Sequence, residues 1–92
     1  MSEPVFAISV AADMVAMEIQ NLRVYERHGL VAPGRTAGGT RRYSSDDVDR
    51  LHRIRDLLSA GLNLAGVARV LALEDELALL REENAGLRRR KR

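Results

Sequence analysis

Cysteine and tryptophan are absent from this 92-residue sequence, and its aromatic residues are Phe6, Tyr25 and Tyr43. Without cysteine there is neither a disulfide framework nor a thiolate metal site, so a reducing, cytoplasmic setting is expected. No apolar run approaches the roughly 20 residues of a membrane span, and no basic stretch followed by an apolar one opens the chain. A soluble protein without a membrane partner is expected. Catalytic signatures are missing as well: no H-E-x-x-H, G-x-S-x-G or phosphate-cradling glycine loop is present. His28 and His52 are not spaced as a ligand or catalytic pair on one helix face. The sequence therefore predicts no enzyme, no cofactor and no metal.

What the chain has is arginine, placed in patches. The net charge of +2 divides into −2 over residues 1–34, +3 over 35–55, −4 over 56–87 and +5 over the last five. All the basic residues except Lys91 are arginines. Guanidinium is the better fork for phosphate and guanine edges, and basic patches on a small chain point to a polyanionic partner.

Residues 1–7 carry no periodic signal and read as a lead-in. Ser9 is the expected N-cap of a short helix whose inner stripe is Val10 and Met14, with Ala11 and Val15 as further candidates. The pattern restarts at Ala16-Met17. Glu18 stands in the first turn of a second helix, Leu22 continues it with Ile19 and Tyr25 nearby, and Gly29 ends it after His28. Two short helices joined by a tight turn make a helix-turn-helix candidate.

From Leu30 to Tyr43 the helical period breaks. Gly38-Gly39 can turn a hairpin whose sides are Arg35-Thr36 and Thr40 to Tyr43, a wing flanked by arginine. A solvated loop is the other reading of the same stretch. Helix returns at Ser44, an N-cap followed by Asp46 and Asp47 in a near capping box. Its inner face is Val48, Leu51, Ile54, Leu57 and Leu58, and Gly61 ends it. Asn63 caps a fourth helix with Leu64, Val67 and Leu71 inward.

From Val70 the spacing becomes heptad, with Val70, Leu77 and Asn84 at a and Leu73, Leu80 and Leu87 at d. A helix from Leu73 to Arg92 would be about 30 Å long with an uncovered leucine seam. Pairing with a second copy is the simplest cover, and a tail folded back on its own domain is the other. The reading is a homodimer, with 1–71 as the winged helix-turn-helix domain and 72–92 as the coiled-coil dimerisation helix. This partition leaves no room for a separate ligand domain.

The run from Leu22 to Arg35, then Gly39-Thr40-Arg41-Arg42-Tyr43-Ser44, resembles the signature of MerR-type transcription regulators. The Asp47-Val48…Leu51…Ile54 pattern and residues 61–67 extend the likeness over roughly 8–73. Residues 8–12, 35–44 and 63–67 look most like the heat-shock repressor branch of that family. The resemblance implies a mainly α fold: a winged helix-turn-helix with a small β-hairpin wing and a C-terminal helix pairing antiparallel across a dimer. It also implies an inverted-repeat operator in double-stranded DNA and, in that branch, a chaperone as co-repressor. The chain departs from the family pattern with Ala16 for a small turn residue such as glycine, Asn21 for threonine and Val24 for tyrosine. The Val24 side chain cannot hydrogen-bond, which favours plain operator binding by a repressor over the DNA remodelling of activators.

The second helix of a helix-turn-helix enters the major groove with its N-terminal residues toward base edges. Gln20 and Asn21 suit adenine, Arg23 suits guanine or phosphate, and Glu18 suits cytosine or simply the helix dipole. Tyr25 is either a phosphate contact or a packed aromatic. Arg41, Arg42 and Tyr43 are placed on the flanking backbone, and Arg35 either reaches the minor groove or braces the wing. A single Asn at an a position is the register device of parallel zippers. Half-sites about 34 Å apart argue the other way, because an antiparallel seam sets the DNA-binding units at opposite ends of the helix pair. The antiparallel arrangement is the one expected. The rival from another class is a protein-binding coiled-coil adaptor, and within the class an activator with no effector domain of its own.

Overall fold

The computed structural model describes residues 5–90, which form two compact units, one ending at Gly61 and one beginning at Leu62. The first unit holds β1 (Val5–Phe6), α1 (Ile8–Val15), α2 (Ile19–Arg27), β2 (Gly34–Arg35), β3 (Arg41–Ser44) and α3 (Ser45–Ser59). The second holds the long helix α4 (Leu64–Arg90). The sequence reading divided the chain at 71/72, whereas the compact units divide at 61/62.

In the first unit, α1 packs against α2, α3 and β3. Its inner face is Ala11, Ala12 and Val15, all buried, whereas Val10 and Met14 are 46% and 45% exposed. The expected stripe of large side chains is therefore turned outward. Alanines line the inside because a short helix touching three neighbours has to approach them closely. Ser9 is not the N-cap: Ala7 holds that position, and its carbonyl accepts the first helical bond from Ala11 N–H at 2.9 Å. The core is completed by Leu22, Tyr25, Leu30, Val31, Tyr43, Val48, Leu51, Ile54 and Leu57.

Both α1 and α2 end on the same motif. Met17 N–H reaches back to the Ala12 carbonyl at 3.0 Å, and Leu30 N–H to that of Tyr25 at 2.9 Å. Each closure needs a left-handed residue before it, supplied by Ala16 at φ 54° and by Gly29 at φ 73°. Ala16 is the one non-glycine residue with positive φ among those described.

The sheet has the order β1-β3-β2, with Phe6 opposite Tyr43 and Arg35 opposite Arg41, both pairings antiparallel. Part of the lead-in is thus a strand, while residues 1–4 lie outside the described region. The β2–β3 wing forms as expected, with strands one residue offset from the expected sides, and Gly39 rather than Gly38 takes the positive φ of its turn. Ser44 begins α3 with a complete capping box. Its Oγ accepts from Asp47 N–H at 3.1 Å, while its own N–H donates to the Asp47 carboxylate at 2.9 Å. Leu58 is half-buried, a margin of that helix rather than its core.

In the second unit, Asn63 caps α4 by accepting from Gly66 N–H at 2.8 Å. Val67 and Leu71 are buried, and the helix continues without a break to Arg90. The fourth helix and the C-terminal helix of the sequence reading are one element. Lys91 and Arg92 lie outside the described residues.

Candidate nucleic-acid interface

Helix α2 has one side committed to the core through Leu22 and Tyr25 and another open to solvent. Gln20, Asn21 and Arg23 are exposed, and so is Arg27 one turn beyond Arg23. Residues 20, 23 and 27 follow helical spacing and share a face. Arg27 was not singled out in the sequence, although it continues the row begun by Gln20 and Arg23. Glu18 is exposed and stands at the N-cap, one position before the first turn expected for it; its side chain makes no capping bond.

On the wing, Arg35 is exposed and Arg41 and Arg42 are half-buried. Two of these arginines converge on Glu26, a residue of α2 that the sequence reading passed over. Arg35 Nη2 donates to Glu26 Oε1 at 2.6 Å, and Arg41 Nε donates to Oε2 of the same carboxylate. The hydrogen bond to Glu26, ahead of its charge, holds the Arg41 guanidinium above its ordinary pKa, with burial acting in the opposite sense. Arg35 Nη1 also donates to the Gly39 carbonyl at the turn, 3.0 Å away. Arg42 reaches only as far as its neighbour's backbone, a 3.4 Å contact with the Arg41 carbonyl.

Both tyrosines proposed for DNA contact are core residues. Tyr25 is 5% exposed and Tyr43 is fully buried. Tyr43 faces inward because it lies on β3 between β1 and β2, where α1 and α3 cover the sheet. Burial raises the pKa of both phenols, and for Tyr43 the nearby negative charges of Glu26 and Asp47 act in the same direction. As placed, the two rings pack, whereas Gln20, Asn21, Arg23 and Arg35 are exposed.

Along α4, Leu73, Leu77, Leu80 and Leu87 are each about half exposed, Asn84 is exposed and Val70 is half-buried. Leu79 is also exposed, off the heptad seam. No helix among the described residues is long and apolar enough to cross a membrane.

A family model for MerR HTH regulatory proteins matches residues 6–74, most of the chain and all of the helix-turn-helix and wing. The chain belongs to the MerR family. Among curated relatives it is 46% identical over 85 residues to the provisionally named heat shock protein HspR of Streptomyces coelicolor, covering 91% of this chain and 56% of that one. It is 43% identical over 74 residues to the HTH-type transcriptional regulator GlnR of Bacillus cereus, covering 80% of this chain and 57% of that one. The chain thus spans a little over half the length of these relatives. Among solved structures, HiNmlR, a MerR family regulator lacking the sensor domain and bound to promoter DNA, superposes with a TM-score of 0.71 at 22% identity. That alignment covers 92% of this chain and 71% of the other, and it supports the fold.

Proposed function

We propose that the protein is a sequence-specific DNA-binding transcriptional regulator, a repressor of the heat-shock type that binds an inverted-repeat operator as a homodimer. The observation that carries this reading is the exposed row Gln20, Asn21, Arg23 on a helix whose other side is locked into the core. An arginine wing stands beside it in the same compact unit. Glutamine and asparagine suit adenine and arginine suits guanine, while the wing arginines add contacts to the flanking phosphates. HiNmlR, crystallised on promoter DNA, shares this fold. The exposed leucines of α4 serve as the antiparallel dimer seam, and the operator's half-sites lie one DNA turn, or a multiple of it, apart. Its partners are double-stranded DNA, a second copy of the chain and, following the heat-shock branch, a chaperone co-repressor. Its place is the cytoplasm.

The test is selection of duplexes from a random pool, followed by titration of the best one across salt concentrations. Binding should weaken steeply with salt; Arg42→Ala should lower the log–log slope by about 1, whereas Arg23→Ala should cost about 1–3 kcal/mol and relax the preference at one base position. Failure to bind any duplex at low salt would leave the coiled-coil adaptor as the better reading.

A further inference from the structure

We infer that Glu26 is a positioning residue for DNA discrimination: it locks the wing to the recognition helix so that the two engage a duplex as one rigid piece. The inference rests on the DNA-binding reading above. Its basis is a single carboxylate on α2 that takes one arginine from each strand of the wing. Arg35 and Arg41 lie directly opposite each other in the β2–β3 register. Like charges facing across a strand pair repel, so the hairpin needs an anion between them. Glu26 supplies it from a different element, and the same carboxylate then ties the hairpin to the helix. The third tie, from Arg35 to the Gly39 carbonyl, carries the restraint to the turn.

The donor count separates orienting these arginines from disabling them. A guanidinium has five N–H groups. Arg35 spends one on Glu26 and one on Gly39, and Arg41 spends one on Glu26. The rest are left to meet phosphate oxygens, and the trio keeps a net charge of +1. A phosphate is the other anion that could sit between the pair. Without Glu26 the wing would accept one at whatever angle the DNA offered. That suits any sequence equally, whereas a fixed angle allows phosphate contact only when α2 sits in the register its base contacts require. Glu26 therefore adds to discrimination and subtracts from affinity for arbitrary DNA.

The experiment measures two duplexes of equal length: the tightest recovered from a random pool with the unaltered protein, and a scrambled version of it. For Glu26→Gln the ratio of the two affinities should fall by about tenfold, with the scrambled duplex bound as well as before or better. Arg35→Ala, at a more exposed position, should lower the ratio in the same direction. In the Glu26→Gln background its effect on the ratio should vanish, because the lock is already open. Loss or gain by the same factor on both duplexes, in both variants, would reduce Glu26 to a fold-maintaining or purely electrostatic group and overturn the inference. If the unaltered protein recovers no duplex, the DNA-binding reading falls and takes this one with it.

Discussion

Arg55 and Val15 are joined across 40 residues of sequence: the Arg55 guanidinium donates through Nη1 to the Val15 carbonyl at 3.0 Å. Val15 is the last residue of α1, where carbonyls have no partner within the helix. Arg55 thus caps α1 from α3. Arg50 acts in the same way on the loop after α2, donating to the Leu30 carbonyl at 2.7 Å. These two arginines look from sequence like part of the basic patch, yet their charge is turned to holding the helix-turn-helix together. Arg55→Ala should lower unfolding free energy by about 1–2 kcal/mol in urea titration. An unchanged midpoint would show that the Val15 carbonyl is equally well served by solvent.

The matched closures of α1 and α2 predict opposite outcomes for opposite substitutions. Ala16→Gly should stabilise the fold by about 1 kcal/mol, because glycine adopts the left-handed conformation at no steric cost. Gly29→Ala should destabilise by a similar amount through backbone strain alone, since the space around its added Cβ is open. In thermal melting each change corresponds to about 4–8 °C.

Tyr43 predicts a pH dependence. Its hydroxyl is buried without a hydrogen-bond partner among the described residues, and burial raises its pKa above the usual value near 10. In the unfolded chain the phenol ionises first, so protons leave on unfolding and stability falls as pH rises past about 10. The stabilising contribution is complete below that pH and is lost through the folded-state pKa. Tyr43→Phe should make the alkaline decline shallower and leave neutral-pH stability equal or higher, as read by urea midpoints at each pH. A lower midpoint at neutral pH would mean that the hydroxyl is paired after all.

The half-exposed leucines predict an assembly phenotype. Leu77→Asp combined with Leu80→Asp should yield monomers in sedimentation while the helix-turn-helix unit still melts cooperatively. A dimer that persists would place the seam elsewhere, with exposed Leu79 and the Val10–Met14 face of α1 as the next surfaces to change.

Much of this was legible in the residues, and the boundary between what was and was not is physical. The capping box at Ser44 and Asp47, the Gly29 stop and the inner face of α3 are local, so each is written within four residues or one helical period. Glu26 was invisible because its partners lie 9 and 15 residues away and its own position looks like an ordinary solvated helix face. The inner face of α1 is half legible: Ala11 and Val15 are buried as expected, but Val10 and Met14 face outward, because close packing there favours alanine over large side chains. The strand at Val5–Phe6 is too short for any alternation to register and exists only through its pairing with Tyr43 and Ser44. Tyr25 takes the packed-aromatic alternative and Tyr43 the core in place of the DNA backbone, because a chain with so few aromatics uses them to fill its interior.

The unbroken course of α4 has a geometric consequence. Its early residues Val67 and Leu71 are buried, and the leucine row follows on the same rod. Each added residue turns a helix by roughly 100°. One residue inserted after Leu71 would swing the whole row to another side of the axis, although every leucine would still be present. Seven would nearly restore its azimuth while shifting it about 10 Å along the axis. The helix therefore works as an indexed shaft: it tolerates insertions close to whole turns, such as about seven or eleven residues, and not those that leave the row half a turn out.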